Sequence, residues 1–233
     1  MKETYQDFLD RLKEERLRLG LSQDEMGRLL KMTQSHYSKA EHGAKRFTYY
    51  ETQCICDTDV DVYYLFTGHR NKNVIDEYWR KKSSDELKHC LNILCQRVAF
   101  LNEQRDIELS DEEQRKIGNI QNSQIKCEKH RTGLFWLRTF LDYNQFKMAE
   151  LLEIDVKKLR NLEEGKLLPD SEMIWKMWDK FQVPYFLILN DKKGMLSEIH
   201  ALMDFVVPKE AEALGRYMEY MKEFVNEAAK LRM

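Results

Sequence analysis

The stretch LSQDEMGRLLKMTQSHYSKAEHG, from Leu21 to Gly43, decides the fold of this chain. Ser22 and Glu25 form an S-x-x-E capping box, which predicts that a helix begins there. The apolar spacing breaks after that helix, and Thr33 then caps a second short helix that ends at Gly43. The pattern is typical of two short helices joined by a tight turn. The first of them carries Met26, Leu29 and Leu30 on one side, which is helical rather than strand spacing.

The second helix of the stretch, from Gln34 to His42, has a polar outer face. Tyr37 and Ala40 are three residues apart, so both face inward. The other side chains are short, polar or cationic, and such groups reach base edges and phosphates. They are Gln34, Ser35, His36, Ser38 and Lys39. Two interpretations of His36 stay open, a contact to a base or phosphate and an ordinary solvated side chain.

The stretch resembles the XRE family, the lambda-repressor and Cro-like helix-turn-helix domains. The resemblance rests on L-S-Q ending at Gln23, on the apolar spacing that follows, and on E-x-G ending at Gly43. The basic pair Lys45–Arg46 and the sequence Y-L-F-T-G ending at Gly68 belong to the same pattern. The resemblance implies a five-helix domain whose second short helix enters the major groove of double-stranded DNA.

The resemblance also implies roles for individual residues. Gln23 would hold a phosphate and orient the helix that reads the DNA, while Lys39, Lys45 and Arg46 would supply charge to the phosphate backbone. The remaining predicted contacts come from the cap and the outer face of that helix. The predicted DNA-binding residues are Gln23, Thr33, Gln34, Ser35, His36, Ser38, Lys39, Lys45 and Arg46.

The sequence repeats itself at a constant offset of 122 residues, without a gap. Self-similarity of this kind predicts a second unit of the same fold, here an XRE-like domain at residues 131–192. The two sets of matched residues are Leu12, Arg16, Leu19, Gln23, Met26, Leu29, Leu30, Glu41, Gly43, Tyr63 and Leu65, and Leu134, Arg138, Leu141, Gln145, Met148, Leu151, Leu152, Glu163, Gly165, Tyr185 and Leu187.

The two copies differ in charge where DNA contact is predicted. Residues 11–46 hold 9 Lys and Arg against 5 Asp and Glu, whereas residues 133–168 hold 6 of each. Asp155 replaces Thr33 as the cap, and a carboxylate there repels an approaching phosphate. Leu167–Leu168 replaces the basic pair. The second copy is either a weaker DNA reader, through Gln145, Lys157, Lys158 and Arg160, or a structural or partner-binding domain.

The whole chain is predicted to be all-α. Only 9 glycines and 3 prolines occur in 233 residues, which disfavours turn-rich β structure. We predict two lambda-repressor-like five-helix domains at residues 1–70 and 131–192, a helical connector at 71–130 and a C-terminal helical segment at 193–233. In the connector, Ser83 opens a long helix that either forms a dimer seam or connecting rod or covers the apolar side of a neighbouring domain.

Partners beyond DNA are left open by the sequence. The apolar stripe of the C-terminal segment must be buried, either on its own chain or on a second chain. A homodimer is therefore one candidate assembly, and a protein partner of the second domain or of the C-terminal helices is another. Regulators of this family often bind paired half-sites as two-fold dimers.

Composition disfavours several other classes of protein. No apolar run approaches the roughly 20 residues of a membrane span, so we expect no membrane partner and a cytoplasmic location, nucleoid-associated when bound. The 5 cysteines form no C-x-x-C pair, which favours reduced buried thiols over a redox sensor. No nucleotide-binding, metal-binding or hydrolase motif occurs, so no catalytic residue, metal or cofactor is predicted.

These observations predict a sequence-specific, double-stranded DNA-binding transcriptional regulator or repressor of bacterial or phage type. The net charge of the chain is only −2, but the basic stretch around the first helix-turn-helix suffices for phosphate steering. The alternative is a protein-interaction module of antitoxin or anti-repressor type. The basic first copy argues against that alternative, and the neutral second copy argues for it.

Overall fold

The described part of the protein is helical throughout. The computed structural model describes residues 4–70, 81–123 and 132–206, together with Ala213 and Arg216. No strand occurs in these residues, and none of their helices is both long and apolar enough to cross a membrane. The helices of the described residues up to Val206 are α1 (Tyr5–Arg18), α2 (Gln23–Leu29), α3 (Gln34–Glu41), α4 (Tyr49–Cys56), α5 (Val62–Thr67), α6 (Ser84–Gln104), α7 (Asp111–Ser123), α8 (Gly133–Phe140), α9 (Gln145–Leu152), α10 (Val156–Glu163), α11 (Ser171–Phe181), α12 (Tyr185–Leu189) and α13 (Lys192–Met203).

The helix-turn-helix consists of α2 and α3, as predicted. The Ser22 side chain accepts a hydrogen bond from the Glu25 N–H, and the Thr33 side chain accepts one from the His36 N–H. The two helices meet closely because α2 carries a glycine at the contact. A Cβ atom added to Gly27 would lie 3.2 Å from the Met32 carbonyl oxygen.

Leu29 shares one helical side with Met26 and Leu30 by spacing, but the structure does not bury it with them. Its side chain is 50% exposed, whereas Met26 and Leu30 are buried. The reason is that α3 packs on the side of α2 that carries Gly27, so the buried face runs through Met26, Gly27 and Leu30. Leu29 therefore lies beyond the edge of that face.

The connector helices bury their apolar faces within the chain. Ser83 opens α6 and Ser110 precedes α7, each with a glutamate three residues later in a capping box. The buried side of α6 packs against α13 and α7, which favours the covering role over a dimer seam. Residues 71–80 and 124–130 of the predicted connector, which include the fifth cysteine, Cys127, lie outside the described residues, as does nearly all of the C-terminal stripe.

The segment from α8 to α12 follows the order of α1 to α5 at the same offset of 122. Helices α2, α3 and α4 begin at Gln23, Gln34 and Tyr49, and α9, α10 and α11 begin 122 residues later. The backbone also adopts positive φ at matched positions. These positions are Gly20 and Asp142, Lys31 and Glu153, Gly43 and Gly165, and Gly68 and Asn190. The segment thus turns its chain at these four points as α1–α5 does, whereas the positive φ of Gln182 has no counterpart at Val60.

The two segments share one hydrophobic cluster. Phe66 of α5 stacks on Tyr185 of α12 with ring centroids 4.1 Å apart, and it makes edge contacts with Phe8 and Trp178. A second cluster, built around Met148 and Leu159, lies within α8–α11. Buried contacts therefore cross from one predicted domain to the other and do not separate the domains. The domain borders at residues 70, 130 and 192 stay predictions.

A buried carboxylate ties α1 to the residues that flank both ends of α5. The Glu15 side chain is fully buried and accepts hydrogen bonds from Arg18, from the Asp61 N–H and from Arg70. Burial alone raises the pKa of a carboxyl group, but these hydrogen bonds outweigh it and lower the pKa of Glu15 to about 2. The Glu15 side chain is therefore a carboxylate in the folded protein at neutral pH, and its hydrogen bonds depend on that charge.

The lowered pKa of Glu15 predicts loss of stability in acid. A group whose pKa is lower in the folded state stabilises the fold above its unfolded pKa, and this contribution disappears as the pH falls towards about 2. We expect denaturant unfolding to show up to about 3 kcal/mol of loss between pH 5 and pH 2 from this group. A Glu15→Gln variant should start less stable and lose correspondingly less. An equal loss in both proteins would contradict the assignment.

Candidate nucleic-acid interface

Helix α3 presents its polar face to solvent. Tyr37 and Ala40 are buried and anchor the helix on the core. Gln34, Ser35 and Lys39 are exposed, and His36 and Ser38 are half-buried. The structure therefore leaves the predicted base-reading side chains accessible from one side, while the opposite side of α3 is held in place.

A buried ion pair holds α3 against α1. Arg16 donates from Nε to Glu41 Oε1 at 2.7 Å and from a terminal nitrogen to Glu41 Oε2 at 3.2 Å. The Tyr37 hydroxyl also donates to Glu41, at 2.9 Å. Burial opposes ionisation of Glu41, but the hydrogen bonds from Arg16, Gln23 and Tyr37 outweigh it and lower its pKa. The carboxylate is the point on which these side chains converge.

Gln23 connects this ion pair to the polar face of α3. Its Nε2 donates to Glu41 Oε2 at 2.8 Å, and its Oε1 accepts from Gln34 Nε2 at 3.2 Å. Gln23 thus lies between the ion pair and α3, and the orienting role that the resemblance implied for it stays a prediction. Because an amide nitrogen carries two hydrogens, one of them stays available for a phosphate.

The Glu51 carboxylate of α4 lies beside the edge of α3. His36 Nδ1 lies 3.7 Å from Glu51 Oε1, and Glu51 also closes the capping box of α4. His36 is thus neither fully solvated nor buried, and both of its interpretations stay compatible with this position.

The loop after α3 carries the basic pair, but its two members differ in their surroundings. Lys45 is exposed, and its backbone N–H donates to the Lys39 carbonyl oxygen at 3.2 Å. Arg46 forms an ion pair with Glu172 of α11 and donates to the Gly43 carbonyl oxygen at 2.7 Å. Its predicted role as a phosphate contact is therefore complicated by a partner 126 residues away in sequence.

The matched surface on α8–α12 keeps the arginine–glutamate pair beneath the helix but differs in its outer residues. Arg138 and Gln145 donate to Glu163, as Arg16 and Gln23 do to Glu41. Asp155 caps α10 by accepting from the Lys158 N–H, and Lys158 Nζ lies 3.8 Å from Asp170. Lys157 and Arg160 are exposed. The same segment exposes three apolar side chains, namely Phe146, Leu167 and Leu168.

Two features of the site were missed by sequence reasoning. The Arg16–Glu41 pair was detectable, because both residues recur at the offset of 122 as Arg138 and Glu163. The contact of Arg46 with Glu172 left no signal in the sequence, since it depends on how α11 packs against the loop after α3.

Other chemistry finds little support in the described residues. No group of three or more His, Cys, Asp or Glu side chains there is arranged to hold a metal ion. Four cysteines are free thiols, and burial raises the pKa of Cys90 and Cys95 to about 12. Such thiols stay protonated near neutral pH, which disfavours the redox-sensor interpretation for these two.

Comparison with known families agrees with this geometry. Residues 12–48 match the family model described as helix-turn-helix. The match runs from the second half of α1 to the cap of α4 and includes α2 and α3 whole. Comparisons with curated proteins and with solved structures find no match. The N-terminal part of the chain therefore contains an XRE-type helix-turn-helix domain, which is a DNA-binding fold.

Proposed function

We propose that this protein is a transcriptional regulator that binds double-stranded DNA at specific sequences through α3. The observation that carries the proposal is the exposed polar face of α3, flanked by Lys39 and Lys45 and supported by the Arg16–Glu41 pair. A rigid helix with this surface fits the major groove, where base edges are distinguishable. The match to the helix-turn-helix family supports the same conclusion.

Within this proposal the contacts divide into two kinds. Gln34 and Ser35 lie on the exposed face of α3 and read base edges, with His36 and Ser38 at the margins. Lys39, Lys45 and the free amide hydrogen of Gln23 contact phosphates, which position the protein without reading sequence. The Thr33 cap fixes the start of α3 by accepting the His36 N–H, and the N-terminus of a helix attracts a phosphate.

The α8–α12 segment is, in this proposal, a second and degenerate helix-turn-helix domain. Its matched turns and its Arg138–Glu163 pair support a common fold. The zero net charge of residues 133–168 and the exposed Phe146 and Leu168 favour contact with protein over contact with DNA. Lys157 and Arg160 supply its remaining positive charge. A homodimer that places two copies of α3 on paired half-sites is consistent with this division of roles.

A second candidate function is a protein-interaction module of antitoxin or anti-repressor type. The exposed apolar residues of the α8–α12 segment favour it. The two functions differ in the first segment, because an interaction module gives no salt-dependent binding to duplex DNA through Lys45.

Lys45→Ala is expected to weaken binding to all duplex sequences alike. Each phosphate contact contributes about 0.9 to the slope of log K against log salt, so the variant should lose up to about that much. Titration of a labelled duplex by fluorescence anisotropy at several salt concentrations measures this slope. Arg115→Ala on α7 removes the same charge from an exposed position outside the first helix-turn-helix and should leave the slope unchanged. Equal slopes for wild type and Lys45→Ala would count against the placement.

A further inference from the structure

The N-terminus of α11 is joined to the DNA-binding domain beside its basic loop. The Ser171 N–H donates to the Phe47 carbonyl oxygen at 3.0 Å. The Ser171 hydroxyl and the Tyr5 hydroxyl are 2.6 Å apart and share a hydrogen bond. Glu172, the next residue, thereby lies against the loop that carries Lys45 and Arg46.

Arg46 is held by three contacts at this joint. Its Nε donates to Glu172, a terminal nitrogen donates to the Gly43 carbonyl oxygen, and its guanidinium lies 5.2 Å from the centre of the Tyr5 ring. The hydrogen bond to Glu172 is the main cause that raises the pKa of Arg46. The pair is still reachable from solvent, because the two side chains are 38% and 27% exposed.

Glu172 has a second cation within reach. Lys176, one turn further along α11, places its Nζ 3.7 Å from Glu172 Oε1, on the other carboxylate oxygen from the one that Arg46 contacts. If Arg46 moves from Glu172 to another anion, Glu172 still has a positive neighbour. Its carboxylate is then not left without a cation. The hydrogen bonds of Ser171 to Phe47 and Tyr5 do not involve Arg46. They therefore keep α11 against the loop after α3 when Arg46 moves away from Glu172.

Resting on the function proposed above, we propose that Glu172 regulates the DNA-binding site by competing with DNA phosphate for Arg46. The carboxylate holds the guanidinium in the DNA-free protein, so Arg46 must leave Glu172 before it contacts a phosphate. Affinity of the first domain for DNA is therefore set partly by the α8–α12 segment. Any event that moves α11 or neutralises Glu172 strengthens DNA binding.

Glu172→Gln in the full chain tests this regulation. The probe is a labelled duplex that carries the sequence selected by the wild-type protein, and its dissociation constant is measured against salt. We expect about three- to tenfold tighter binding and a salt slope steeper by up to about 0.9, the value of one additional phosphate contact. Glu150→Gln removes the same charge from an exposed ion pair with Lys147 on α9 and should change neither quantity.

A double variant separates competition from general charge. Because the effect acts through Arg46, Arg46→Ala with Glu172→Gln should bind like Arg46→Ala alone, and Arg46→Ala should cost more in the Glu172→Gln background than in wild type. Three outcomes would overturn the competition but not the proposed function. They are equal tightening by Glu172→Gln and Glu150→Gln, tightening by Glu172→Gln that persists without Arg46, and no tightening by Glu172→Gln while the wild type binds. Absence of duplex binding by every variant would overturn the proposed function, and the competition with it.

Discussion

Glu41→Ala will lower the free energy of unfolding by about 3–5 kcal/mol, because it leaves the buried Arg16 guanidinium without its counter-charge. The two side chains are 1% and 8% exposed, so water cannot replace the lost carboxylate. Gln23 and the Tyr37 hydroxyl lose their acceptor in the same step. We therefore expect α3 to lose its fixed orientation, and DNA affinity to fall even where the variant is still folded. Denaturant unfolding and anisotropy titration measure the two effects.

Glu163→Ala is the matched control for Glu41→Ala. It removes the same kind of acceptor from Arg138 and Gln145 at the equivalent position of the α8–α12 segment. We expect a comparable loss of stability with the selected DNA sequence unchanged. If the two variants lose DNA binding to the same extent under conditions where both are folded, the first segment has no special role in reading.

Phe66→Ala will destabilise the protein by about 3–5 kcal/mol, as a large buried aromatic truncation does. Phe66 is fully buried and contacts rings from both segments, with Phe8 on one side and Tyr185 and Trp178 on the other. Because the shared cluster spans these helices, we expect one unfolding transition displaced to lower denaturant. Fluorescence and circular dichroism should follow the same curve.

Phe100→Ala provides the comparison for that truncation. Phe100 lies on α6 and is 49% exposed, beside Arg97. Its removal should cost well under half as much, since little buried contact is lost. Two separated transitions in Phe66→Ala, or a loss below about 1 kcal/mol, would show that the cluster does not join the two segments.

Local features of the fold were predictable from the sequence. The capping residues Ser22, Thr33 and Ser83 mark helix starts because their side chains bond N–H groups only a few residues away. The offset of 122 anticipated the starts of α9 and α10 for a similar reason, since matched residues at matched spacing form the same local hydrogen bonds. The inner and outer faces of α3 also followed from its spacing.

Contacts between distant parts of the chain were not predictable. Leu29 shows that helical spacing alone does not define the buried face, because Gly27 decides on which side α3 packs. Stacking of Phe66 on Tyr185 and pairing of Arg46 with Glu172 depend on how the two segments dock. Neither contact follows from the spacing of residues along the sequence. The sequence therefore contained no sign that Arg46 of the basic pair is bound by a carboxylate while Lys45 is exposed.

The most direct test of the central claim is selection of binding sites from a random pool of duplex DNA with the full-length protein. If α3 reads the major groove, the pool will converge on one motif, and replacement of Gln34 will change the preferred base at one position of that motif by about 1–3 kcal/mol. A bipartite motif would indicate a dimer or two reading surfaces. A pool that stays random through successive rounds, while the protein remains folded, would contradict the claim that this protein reads DNA sequence.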